Sequence, residues 1–113
     1  MHEMSITESI LQLALEKAGE AEAAKVTKIN LVIGDLAGIA GECVQFYFNI
    51  LAKETIAAGA ELCIERQPVQ ARCRDCGTVY EPREGDWSCL SCGKTAVDVI
   101  AGRECHMTSL EVD

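Results

Sequence analysis

The sequence predicts an α+β fold: a small mixed sheet of about three strands with two helices, plus an inserted module built around cysteines. Three observations predict it. Apolar residues recur at helical spacing in two segments. A β-rich run with alternating apolar positions follows each of them. Late in the chain stand two Cys-x-x-Cys turns, Cys73-Arg-Asp-Cys76-Gly77 and Cys89-Leu-Ser-Cys92-Gly93. The resulting order is α-β-α-β, insert, β.

Ser5-Ile-Thr-Glu8 reads as a capping box, in which Ser5 accepts from an N–H three residues on and Glu8 reaches back. Ile6, Ile10, Leu13, Ala14 and Ala18 then form an apolar stripe, so a helix is expected from Ser5 to Ala23. Val26 to Ile33 is a strand with Ile29, Leu31 and Ile33 on one face. The glycines of Gly34-Asp-Leu-Ala-Gly38-Ile-Ala-Gly41 mark a loop. A second helix runs from Gly41 to Lys53, with Val44, Tyr47, Phe48 and Leu51 as its buried stripe. Ala60 to Gln67 is a second strand, with Leu62 and Ile64 inward, and Pro68 closes it. Val99 to Val112 is a last strand turned at Gly102. The division expected is a core of residues 1–68 and 99–113 around a module of residues 69–98.

The cysteine turns carry the strongest chemical signal. Each aims two thiolates at one point, and two turns complete a tetrahedron, the geometry of zinc with four sulfur ligands. The glycine after each pair suits a turn that needs positive φ. Cys73, Cys76, Cys89 and Cys92 are therefore expected to hold a structural Zn(II) in a zinc-ribbon-like module. A site closed by four sulfurs keeps no open position for a substrate, so any metal chemistry lies elsewhere.

Composition narrows the rest. The chain has 113 residues and a formal net charge of −8. Four metal-bound thiolates and one dication would take it to about −10. Such a chain repels phosphate backbones, so no nucleic-acid partner is expected. No run of about 18 apolar residues is present, so no membrane span is expected. The first residues carry no basic segment followed by an apolar stretch, and no secretory signal is expected. Seven cysteines leave Cys43, Cys63 and Cys105 outside the two turns. Free thiols fit a reducing, cytoplasmic setting.

The chain opens Met1-His2-Glu3. The α-amine, the His2 amide nitrogen and the His2 imidazole can form two fused chelate rings in one plane, and Glu3 offers a further donor. Planar nitrogen coordination selects Ni(II) or Cu(II) over zinc. A lone histidine near a terminus is more often a solvated side chain, and spacing alone leaves both readings open. His106 follows Cys105 on the last strand, where neighbours face opposite ways and do not share an ion.

Together, Met1-His2-Glu3, the α-β-α-β body with Ile33-Gly34-Asp35-Leu36 and Glu61 to Glu65, and the two late cysteine turns resemble the HypA/HybF nickel metallochaperones. The resemblance covers essentially the whole chain. It implies transferable Ni(II) on His2, with Met1 and Glu3 as co-ligands, and structural zinc on the four cysteines. It implies delivery to the [NiFe] hydrogenase large subunit with a HypB-type GTPase, and no enzymatic turnover. Some members serve urease, which adds urease maturation proteins as partners. Some carry a further nickel ligand before the second helix, for which Asp35 and Glu42 are the weak candidates here.

The rival reading is a zinc-ribbon module for protein or nucleic-acid contact. Trp87 could stack on a base, but is expected instead to cover the cysteine turns. Its arginines, however, are interleaved with Asp75, Glu81, Glu84, Asp86 and Asp98, a mixed surface that is usually just solvated. No Gly-x-Ser-x-Gly, His-Glu-x-x-His or phosphate loop supports an enzyme. A two-crossing insert and a terminal strand would permit strand exchange between copies, and so a homodimer.

Overall fold

The computed structural model describes residues 3–113. The first helix, α1, spans Glu3–Glu20, and β1 spans Val26–Gly34. Then come α2 (Gly41–Leu51), β2 (Glu61–Gln67), β3 (Gln70–Cys73), β4 (Val79–Tyr80), β5 (Val97–Ala101) and β6 (Cys105–Val112). The strands form two sheets of three, ordered β2-β1-β6 and β4-β3-β5. The first is the mixed sheet expected: β1 runs parallel to β2 and antiparallel to β6. A parallel pair needs a crossover, and α2 provides it.

Both helices serve one face of the first sheet. Ile29 and Ile33 are fully buried and Leu31 is nearly so. Their partners across the sheet are Leu62 and Ile64 on one side and Leu110, Met107 and Cys105 on the other. Alternation puts Lys28, Asn30 and Val32 on the opposite, half-exposed face. From α1, Ile6, Ile10, Leu11, Ala14 and Ala18 close the core; from α2, Val44 and Phe48.

Three local expectations change. The capping box does not form, because the helix already starts at Glu3 and Ser5 lies inside its first turns. The hydroxyls bond backward instead: Thr7 donates to the carbonyl of Glu3 and Ser9 to that of Ser5. Leu13 is 38% exposed rather than buried. The buried stripe passes through Thr7 and Leu11, and Leu13 sits on its margin. The helix stops at Glu20, not Ala23. Glu22 turns left-handed at φ 54° and the Ala23 N–H bonds back to the Ala18 carbonyl, a Schellman ending.

The largest change concerns the last strand. Val99 to Val112 is two strands in two sheets. Val99 pairs with Ala71 in the second sheet, and Cys105 pairs with Ile33 in the first. The break falls at Gly102, whose φ of +116° is open to glycine. Gly34 lies against it: a Cβ there would stand 2.1 Å from the Gly102 carbonyl carbon and oxygen. Around this contact the loop after β1 is strapped to both chain crossings. The Gly34 N–H donates to the Glu104 carbonyl at 2.7 Å, Leu36 to Gly102 at 2.7 Å and Asp35 to Gln67 at 2.9 Å. The Glu104 carboxylate accepts from the Gly102 N–H at 2.6 Å. The two sheets thus meet end to end. The radius of gyration is 17.6 Å and the longest extent 55 Å. A single ball of this length would measure roughly 13 Å.

Candidate metal centre

The two cysteine turns are built alike. After Cys73 and after Cys89 the chain reverses, and the N–H of the glycine four residues on returns to the cysteine carbonyl at 2.9 Å in both cases. Gly77 and Gly93 hold φ of 74° and 75°, as the turn requires. The turns are braced from both sides. Cys73 donates its N–H to the Thr78 carbonyl at 3.0 Å, and Cys89 donates to that of Lys94 at 2.8 Å. β3 delivers Cys73, and its pairing with β5 brings the chain back past the site.

The structure brings all four expected cysteines together. Their sulfurs lie within 4.8 Å of one another. Sγ of Cys73 stands 3.6 Å from that of Cys92, and Cys76 stands 3.5 Å from Cys89. Four sulfurs about 2.3 Å from a central ion would stand about 3.8 Å apart in a tetrahedron, so the donor set fits zinc. Cys73 and Cys89 are buried, while Cys76 and Cys92 are exposed. Thr78 Oγ1 lies 3.2 Å from the Cys76 sulfur and the Ser91 N–H points at that of Cys89 at 3.4 Å. Contact with the Thr78 hydroxyl and N–H, and then with Cys89, lowers the Cys76 thiol to about 6. Cys76 is thus held as thiolate, the form a metal takes, whereas Cys92, despite the Lys94 N–H, is pushed up to about 11 by burial and by the three other thiols.

One partner of the cage has no signature in the sequence. Tyr80 is buried beside the cysteines, and its hydroxyl donates to the Trp87 carbonyl at 2.6 Å. Burial, then the Cys89 thiol, pushes its phenol up. Trp87, expected to cover the turns, is 37% exposed. The aromatic closing the cage is therefore a tyrosine on β4, which only its alternation with exposed Val79 could have suggested.

The other expected donors divide. Met1 and His2 lie outside the described residues. Glu3 is half-buried at the start of α1. Asp35 is exposed and its Oδ1 takes Nε of Arg66 at 3.4 Å. Glu42 is exposed in the first turn of α2. His106 is exposed, and its register opposite Val32 places it on the face away from the core, while Cys105 opposite Ile33 faces inward. Burial raises the Cys105 thiol, the state of an inert packing cysteine. Beside the first turns of α1 a groove of about 640 Å³ opens, lined by Ser5, Ile6, Ile10, Ile39, Arg103 and Met107 among others. Among the described residues, no helix is long and apolar enough to cross a membrane.

Comparison with known proteins bears on the whole chain. The family model described as "Hydrogenase/urease nickel incorporation, metallochaperone, hypA" matches residues 1–112. A hydrogenase maturation factor HypA from Dehalococcoides mccartyi is 43% identical over 113 residues, covering 100% of this chain and 95% of the relative. Another, from Caldanaerobacter subterraneus subsp. tengcongensis, is 40% identical over 114 residues and covers both chains fully. The solution structure of the Ni metallochaperone HypA from Helicobacter pylori superimposes with a TM-score of 0.69 at 26% identity, over 99% of this chain and 97% of that one. A second solution structure of a HypA protein gives a TM-score of 0.76 at 28% identity, over 99% and 96%.

Proposed function

The chain belongs to the HypA family of hydrogenase nickel-incorporation metallochaperones, and we propose that it carries Ni(II) on Met1, His2 and Glu3 and delivers it to the large subunit of a [NiFe] hydrogenase. The observation that carries this reading is the separation of the two donor sets. A four-sulfur cage is closed, so a cargo that must be released needs other ligands. The Met1-His2-Glu3 segment supplies nitrogen donors that can lie in a plane, which suits Ni(II).

The start of α1 supports the reading. A helix beginning at Glu3 leaves the N–H groups of its first turn without carbonyl partners inside the helix. Such an amide is free to lose its proton to a metal, and the positive end of the helix dipole favours the resulting anion. A donor set at the tip of the chain can also be released one ligand at a time to an acceptor.

Cys73, Cys76, Cys89 and Cys92 would hold structural zinc and Tyr80 would shield it. The cage then contributes shape and no reaction step, and the protein acts as a carrier and not as a catalyst. The partners this role requires are the hydrogenase large subunit and a HypB-type GTPase, with urease maturation proteins a further set, in the cytoplasm. The two sheets would be separate folding units, and the pairing of β5 with β3 extends the module to Ala101.

The test is nickel binding by His2→Ala, followed by calorimetry and nickel-edge X-ray absorption on untagged, zinc-loaded protein. The expected result is loss of tight nickel binding with zinc content unchanged. An N-terminal extension that blocks the amine is expected to weaken nickel binding as well. Wild-type nickel affinity in His2→Ala, or nickel found among sulfur ligands, would overturn the assignment.

A further inference from the structure

The two cysteine turns share one backbone course but differ beside their exposed sulfurs. Cys73 and Cys89 are the buried members, and Cys76 and Cys92 the exposed ones. Gly77 corresponds to Gly93, and each closes its turn at 2.9 Å. The residue that follows is Thr78 in the first turn and Lys94 in the second. Each turns its N–H to the exposed sulfur of its own turn. Thr78 adds a hydroxyl, with Oγ1 3.2 Å from the Cys76 sulfur. Lys94 has no hydroxyl to add. Thr78 Oγ1 also stands 3.4 Å from Ser91 Oγ, so a side chain of the second turn supports the first.

The difference decides how many electron pairs each sulfur has to spare. A sulfur bonded to its own Cβ and to a metal keeps two lone pairs. At Cys76 the Thr78 N–H and O–H occupy both. In the thiol form the hydrogens run from Cys76 to Thr78 to Ser91. A metal-bound thiolate has no hydrogen to give, so the order reverses: the Ser91 O–H donates to Thr78 Oγ1, and the Thr78 O–H donates to the sulfur. At Cys92 the Lys94 N–H takes one pair. Among the described residues no further N–H or O–H reaches that sulfur, whose one other polar neighbour is the Cys73 sulfur. Hydrogen bonds to a thiolate are charge-assisted and draw off the electron density that makes it a nucleophile. The backbone adds to the contrast. The first turn is closed by the pairing of β3 with β4, with Arg72 opposite Val79. The second, from Cys89 to Lys94, lies in no strand.

We propose, on the reading that zinc sits among the four cysteines, that the cage has one open sulfur: Thr78, steadied by Ser91, shields Cys76, and Cys92 is the site where a soft electrophile of the activated-alkene class attaches. In that step a lone pair of Cys92 Sγ forms the bond to the alkene carbon. The alkene π pair takes a proton from water and leaves hydroxide. The neutral thioether that results is a poorer zinc ligand than a thiolate, so the modification loosens the second turn while Cys73, Cys76 and Cys89 keep their hold. Thr78 is a positioning residue here: it acts through the Cys76 sulfur.

Labelling of the full, zinc-loaded chain with N-ethylmaleimide, mapped by peptide mass spectrometry, tests it. Cys43 is exposed outside the cage and serves as the internal standard. The zinc-free chain gives the rate of each thiol without metal. Protection by zinc, the ratio of the two rates, is expected to be about tenfold smaller at Cys92 than at Cys76. Thr78→Val removes the hydroxyl and keeps the shape, and is expected to bring the protection of Cys76 to within about threefold of that of Cys92. Thr78→Ser keeps the hydroxyl and is expected to retain the wild-type order. Equal protection at the two sulfurs, or less at Cys76, would overturn the proposal and leave the cage standing. So would a Thr78→Val protein that holds zinc and labels as the wild type does. No protection at any of the four cysteines would take the zinc assignment down with the proposal. Should Thr78→Val fail to hold zinc, the wild-type order and Thr78→Ser still decide the matter.

Discussion

The core and the cysteine module are sheets of equal strand number held together by different forces. The core cluster buries sixteen residues from two helices, two strands and the loops between them, and β6 adds half-buried Cys105, Met107 and Leu110. The module cluster buries four, and two of those are cysteines. A sheet with so little apolar area does not offset its own conformational entropy. What the core obtains from Ile29, Leu31 and Phe48, the module would obtain from a metal held by its four cysteines. The proposed nickel donors Met1-His2-Glu3 would then lead into the part with its own apolar core, and the cysteine cage lies far along the chain, where release of the cargo would not threaten it.

The sharpest way to break this contrast is Cys73→Ala. Structural zinc contributes an apparent binding free energy of about 10–16 kcal/mol, and most of it is folding energy. The variant is expected to lose zinc and to become open to protease between Gln70 and Ala101, while the helices keep their far-UV dichroism. Metal analysis with limited proteolysis checks both halves. Wild-type protease resistance in the variant would mean that the module folds without its cage.

Phe48→Ala tests the other side. Phe48 is fully buried at the centre of the core. Truncating such a ring costs about 3–5 kcal/mol. Urea unfolding followed by dichroism at the helix band should show that loss, while zinc content stays at the wild-type level. Loss of zinc in this variant would show that the two regions fold as one unit.

How much of this could be read from the residues follows the same division. The cysteine cage was legible because a metal fixes both residue type and spacing. The α-β-α-β order was legible because each element carries its own period. Interactions between distant segments were not. Val99 to Val112 alternates like one strand, and nothing local shows that its halves pair with Ala71 and Ile33. Ser5 and Glu8 match a capping pattern, yet the helix began upstream of it. Asp35 looked like a spare carboxylate until its pairing with Arg66, thirty-one residues away, came into view. On α2 the inward stripe was foreseen, with Val44 and Phe48 buried but Tyr47 and Leu51 only half so. The exposure of Phe46 and Ile50 was not, because both look like core residues in any window.

The contact between the regions can be tested separately. A methyl at Gly34 would overlap the backbone of Gly102, which has no side chain to move aside. Gly34→Ala is therefore expected to destabilise the core by about 1–3 kcal/mol, the range of overpacking. Hydrogen exchange should show the loosening first at the N–H groups of Gly34 and Leu36, which bond across the contact. Unchanged exchange at both would mean that the two glycines meet without holding anything.

The smallest expected effect concerns Glu104, which holds the turn between β5 and β6. The N–H of its own residue, then those of Gly102 and Arg103, hold its carboxyl below the ordinary value, and His106 adds to this. A depressed carboxyl stabilises the fold at pH above the unfolded value, near 4.5. That contribution disappears as pH falls through the folded value. Because the carboxylate accepts the Gly102 N–H directly, the loss is local. Exchange at Gly102, corrected for its intrinsic rate, is expected to be well protected at about pH 6 and to lose protection as the solution passes below the ordinary carboxylate range. Glu104→Gln, which cannot ionise, is expected to start with weaker protection and to show no such acid transition. Equal protection in the two proteins across that range would place the hold on Gly102 in the Gly34 contact alone, and the turn would then owe nothing to charge.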